Sequence, residues 1–130
     1  MPLSITLSRT TGQPIYEQIR AQTQAAILNG DLPPGAQLPS IRGLAKDLQV
    51  SVITTTRAYS DLAALGLIAN VPGKGSYVLD IDTATWQGQI RDLVHASFLD
   101  GVLHAARADL SPAELHRLLD DAITAAKERR

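Results

Sequence analysis

The chain has 130 residues, 45% of them apolar but only 4% aromatic, which is material for one domain, or one small domain and an appendage, around an aliphatic core. The absence of Cys excludes disulfides, thiolate metal sites and Cys nucleophiles. The net charge of −1 is divided unequally: residues 1–79 carry six Lys or Arg against four Asp or Glu, and residues 80–130 carry six against nine, which suggests two jobs.

The opening stretch, MPLSITLSRTTG, has no basic region leading into an apolar run, so no secretory signal is visible. No apolar stretch approaches the ~18 residues of a membrane span. These features, with the missing Cys, give an expectation of a cytoplasmic protein with no membrane partner. A first helix is expected from near Pro14, whose missing N–H suits a first helical turn. Ile15, Ile19, Ala26 and Ile27 keep a helical period, and Gly30 is its stop. "GDLPPGAQLP" follows as a loop, since its prolines and glycines oppose a regular element.

Ser40 is expected to cap a second helix from Ile41 to about Leu48, and Ser51 a third that ends at Gly66. "LIANVPGKGSYVL" then reads as a small hairpin, with Pro72 and Gly73 in the order that a type II turn prefers. Past Asp80–Ala84 only two amphipathic stretches remain. In the first, Trp86, Ile90, Leu93, Val94, Phe98, Val102 and Ala105 share a face. The second opens on Ser111 as N-cap, Pro112 in the first turn and Glu114 as capping-box partner, with an apolar stripe from Leu115 to Ala126. The expected fold is mainly α with a small β-hairpin. Residues 1–79 form a winged helix-turn-helix, and residues 80–130 a two-helix segment whose apolar faces a second copy would cover.

The stretch from Pro14 to Val78 resembles the DNA-binding domain of the GntR family of bacterial transcription regulators. The pieces that carry the resemblance are "PIYEQI", the pattern from Gly30 to Ala45 that includes "LPS" and "LA", "VS" and "RAY" between Val50 and Tyr59, and "GKGSYV". The short two-helix tail resembles the YtrA-like subfamily, in which this part is thought to dimerise. The resemblance implies a homodimer that binds double-stranded DNA at an inverted repeat and most often represses transcription; a small enzyme has no support, since no nucleophile–base pair, phosphate loop or metal cluster appears, and no cofactor is expected. A small-molecule effector, unidentified, stays open. The alternative is a winged-helix adaptor that uses its wing for protein contact and has lost DNA binding.

A recognition helix enters the major groove by its N-terminal turn. At about 100° per residue, Thr55, Ala58, Leu62 and Leu65 fall on one face, assigned to the core. Ile53 and Thr56 then face DNA, with Val52 at the edge and Thr54 in the same turn. The family often has arginine where this chain has Val52, and valine where it has Thr55; Val52 and Thr56 can instead pack on thymine methyls. Arg42 and Lys46 on the second helix are assigned to phosphate rather than to a solvated face. Arg57 is assigned to DNA rather than to an ion pair with Asp61 four residues on. Ser40 and Ser51 combine capping with phosphate contact. Lys74 and Gly75 are the wing tip: glycine lets the backbone approach the minor groove and Lys74 follows the phosphates. His95, His104 and His116 show no metal-ligand spacing, and Trp86 and Phe98 are read as dimer core.

Overall fold

The computed structural model describes residues 3–129; Met1, Pro2 and Arg130, at the outer ends of the two expected segments, lie outside the described residues. Two compact units divide the chain, the first ending at Ile90 and the second beginning at Arg91. The first holds α1 (Ile15–Leu28), α2 (Ile41–Leu48), α3 (Val52–Ala64), β1 (Ile68–Val71) and β2 (Gly75–Val78). It also takes in residues 83–90 of α4 (Thr83–Arg107).

α1 follows Pro14, which stands as N-cap just outside the helix. Ile19, Ile27 and Leu28 are buried on its inner face, as is Thr23, whose hydroxyl donates to the Ile19 carbonyl at 2.8 Å. Two glutamines of α1 hold the chain that precedes it. Gln22 accepts from the Thr6 N–H and donates to the Thr6 carbonyl, and Gln18 does the same with Ser8. Side-chain amides thus give an extended segment the partners a β-strand would give.

Ser40 and Ser51 cap α2 and α3 by accepting from the Gly43 and Thr54 N–H groups. Between the helices, Gln49 turns the chain in the left-handed region at φ 58°. α3 is the central element. Thr55, Ala58, Tyr59 and Leu62 are fully buried. Leu65, expected on that face, is 39% exposed, because α3 stops at Ala64 and Leu65 is its C-cap.

β1 and β2 pair antiparallel with Ile68 opposite Val78 and Val71 opposite Gly75. The turn is type II: Lys74 N–H donates to the Val71 carbonyl at 3.0 Å, and Gly73 sits at φ 76°, which a side chain would oppose. The preceding loop is less irregular than its prolines imply. Gln37 bridges Tyr77, Gly35 and Leu38 donate to the Val78 and Ser76 carbonyls, and Val78 N–H donates to Ala36. Residues 35–38 therefore line the second edge of β2.

The first unit extends past residue 79 because the head of α4 is tied to it. The Trp86 indole N–H donates to the Leu28 carbonyl at 2.9 Å, and Gln89 donates to the Leu65 carbonyl at 2.9 Å. Trp86 thus satisfies a carbonyl at the end of α1, while its ring stays 40% exposed.

The second unit is the remainder of α4 and α5 (Pro112–Glu128), joined through Ala108–Leu110. The capping box at Ser111 and Glu114 forms in both directions. Among its described residues only Ala105 is buried. Phe98, Val102, Leu118 and Ile123 remain about half exposed, and a groove of about 600 Å³ runs between Phe98, Val102, Leu115, Leu119 and Ala122. No described helix is long and apolar enough to cross a membrane.

Candidate nucleic-acid interface

Three elements of the first unit present the residues singled out in the sequence: the start of α2, the start of α3 and the β1–β2 tip. Arg42 and Lys46 are one turn apart on α2 and both exposed. Among the described residues the one ion pair joins Arg20 to Glu17, so no carboxylate neutralises Arg42, Lys46 or Lys74. A groove of about 570 Å³ lies between α2 and the hairpin and is lined by Ser40, Arg42, Asn70, Lys74 and Gly75. It combines free N–H groups of a helix start with two cations, and both features favour an anion.

On α3 the N-terminal turn is bare. Ile53 is 81% exposed, the most exposed of the large apolar side chains described, and Val52 and Thr56 are exposed beside it. The neighbouring hydroxyls are already engaged. Ser51 Oγ accepts from the Thr54 N–H and lies 2.9 Å from Thr54 Oγ1. Thr55 is buried, with its hydroxyl 3.0 Å from the Ile41 carbonyl and 3.2 Å from that of Val52. Thr55 therefore binds the start of α3 to the start of α2.

Arg57 does not pair with Asp61. Its guanidinium lies over the Tyr16 ring of α1, 3.9 Å from the centroid. It stays exposed, so the stacking fixes its stem and leaves N–H groups for a further partner.

The hairpin tip is braced from two sides. The Lys74 carbonyl accepts from Tyr77 Oη at 3.0 Å and from Gln37 Nε2 at 3.4 Å. Gly75 has φ 122°, a conformation that a side chain would oppose, and a Cβ there would meet the far end of the Gln37 side chain at 2.9 Å, which can swing aside. Deeper in the hairpin, Ser76 donates to Asn70 Oδ1 at 2.6 Å, and Asn70 donates to the Tyr59 carbonyl at 3.3 Å. Tyr59 donates to the Pro39 carbonyl at 2.7 Å, and burial pushes its hydroxyl well above the usual tyrosine range. Gln37, Tyr77, Asn70 and Tyr16 thus support the surface, a role that sequence reasoning missed. Gln37, Asn70 and Tyr16 find their partners on other elements, which no local pattern marks, whereas Tyr77 meets Lys74 within the hairpin.

No group of three or more His, Cys, Asp or Glu able to hold a metal occurs among the described residues.

A family profile described as "Bacterial regulatory proteins, gntR family" matches residues 15–78. The regulator YhcF of Bacillus subtilis is 30% identical over 91 residues, covering 70% of this chain and 74% of its own. The transcriptional repressor YtrA of the same organism is 27% identical over 117 residues, 90% of each chain. Other relatives are longer, and the chain spans 40% of one of them. Among solved structures, YtrA from Sulfolobus acidocaldarius, described as a GntR-family transcription factor, matches at TM-score 0.55 with 29% identity, over 95% of this chain and 99% of that one. The AraR DNA-binding domain in complex with operator ORX1 matches at TM-score 0.52 with 26% identity, over 60% of this chain and 98% of that one.

Proposed function

The chain belongs to the GntR family of bacterial regulatory proteins, in its YtrA-like subfamily, and on that premise we propose that it is a sequence-specific repressor that binds an inverted-repeat operator as a homodimer. The observation that carries this reading is the exposed turn of Val52, Ile53 and Thr56, flanked by the uncompensated Arg42, Lys46 and Lys74. A protein that exposes a large apolar side chain at the start of a helix capped by Ser51, among free cations, has made a surface for a polyanion with apolar features in its grooves.

In this reading the turn enters the major groove, Ser40, Arg42, Lys46, Ser51 and Arg57 meet phosphates, and Lys74 and Gly75 follow the minor groove. The half-exposed apolar faces of α4 and α5 support the dimer, since two helices alone bury too little to stand by themselves. Two-fold symmetry then sets two recognition helices about one DNA turn, ~34 Å, or a multiple, apart. The test is a mobility shift on the DNA flanking the protein's own gene, against random duplex of equal length. A tenfold or greater preference for one fragment is expected. Equal binding to both, or none to either, overturns the reading.

A further inference from the structure

We propose that the recognition turn reads thymine through its 5-methyl group, with Ile53 as the principal reader and Val52 and the Thr56 methyl beside it. This deepens the DNA-binding reading above and rests on it.

The inference follows from an account of what the turn can offer a base. Bidentate recognition of guanine needs an arginine or lysine, and that of adenine an asparagine or glutamine. From Ser51 to Thr56 the chain has none of these. The basic residue of α3, Arg57, is drawn over the Tyr16 ring on α1. Hydroxyls are the remaining polar groups, and most are committed. Ser51 and Thr54 bond to each other, and Thr55 is buried against the Ile41 and Val52 carbonyls. Only the Thr56 hydroxyl has no partner among the described residues. Against one free hydroxyl stand the 81% exposed Ile53 side chain and the exposed Val52.

Of the groups on the major-groove floor, thymine's C5 methyl is the apolar one, and the others are donors and acceptors. An isoleucine pressed onto those would desolvate them without return, whereas against a methyl it gains apolar contact. The same surface that attracts thymine therefore rejects guanine and cytosine.

The experiment selects binding duplexes from a random pool with the full-length protein. It then replaces single thymines of the selected sequence by deoxyuridine, which deletes the methyl and keeps the pairing. Thymine is expected under each recognition turn. Uracil at that position should weaken binding about fourfold per methyl. Ile53→Ala, a change at an exposed position that leaves the core untouched, should bind the thymine and uracil duplexes equally. Uracil duplexes that bind wild type as tightly as thymine duplexes, or selected half-sites with guanine under the turn, overturn the methyl reading while DNA recognition stands. A pool from which nothing is enriched overturns both.

Discussion

The Arg57 guanidinium lies over the ring of Tyr16, 3.9 Å from its centroid, and this contact joins the recognition helix to α1. An exposed cation–π pair contributes about 0.5–1 kcal/mol. Tyr16→Phe keeps the ring face and should leave stability unchanged, while Tyr16→Leu should lower it by about that amount, measured by urea unfolding. Arg57→Ala should cost as much in stability and also weaken operator and random DNA alike, because phosphate contacts carry no sequence information. A Tyr16→Leu protein as stable as wild type would show that the stacking contributes nothing.

The wing tip predicts a backbone effect. Gly75→Ala forces a side chain into φ 122° and towards Gln37 Nε2. It should cost about 1–3 kcal/mol of stability and weaken DNA binding. The strain lies in the backbone and the Gln37 side chain can swing aside, so adding Gln37→Ala should recover little of the loss. Equal affinity of wild type and Gly75→Ala would remove the wing from the interface.

Tyr59 makes stability depend on pH at the alkaline end. Its hydroxyl is raised by burial, so the folded state holds a proton that the unfolded state releases above its ordinary value, ~10. The stability linked to this group is complete below ~pH 10 and falls as pH rises further. Tyr59→Phe should be less stable by ~1–2 kcal/mol at neutral pH, since the Pro39 carbonyl loses its donor. It should also decline less between pH 9 and 11. Parallel curves for the two proteins would assign the alkaline loss to other groups.

The helical unit supplies a test of assembly. Val102 and Leu118 are exposed at 50% and 54% in the single chain, so a glutamate at either leaves each helix intact. In a dimer that covers them, the buried charge should shift sedimentation from dimer to monomer. It should also lower affinity for a two-half-site operator while sparing a single half-site. A variant that stays dimeric would place the interface elsewhere.

Salt dependence reports on the cations. With Arg42, Lys46, Arg57 and Lys74 directed at phosphate in each subunit, a dimer neutralises ~8, and log K against log salt should slope near −7. A slope steeper than about −9 would mean that further basic residues engage DNA.

Local features could be seen in the sequence, and distant ones could not. Ser40, Ser51 and Ser111 as caps, and the turn at Pro72–Gly73, rest on residues within four positions of one another. The exposure of Ile53 followed from helical spacing once Ser51 fixed where α3 starts. Leu65 failed the same spacing because the helix ended one residue before it. The contacts of Trp86 with Leu28, Arg57 with Tyr16 and Gln37 with Tyr77 join residues about forty or more positions apart. No periodicity encodes them. Trp86 illustrates the loss, since its place on an apolar stripe hid the carbonyl it serves.

The segment at residues 35–38 has a consequence for solubility. A two-stranded hairpin on a surface normally leaves an open row of donors and acceptors, which invites a strand from another molecule. Here Gly35 and Leu38 spend their N–H groups on β2, and Ala36 turns its own back to the Pro33 carbonyl. Pro33, Pro34 and Pro39 on either side have no N–H to offer. Among these residues Gln37 alone keeps a free backbone donor on the outer side. The prolines that oppose a regular element thus close the β2 edge, and a strand from a neighbouring chain finds almost nothing there to pair with.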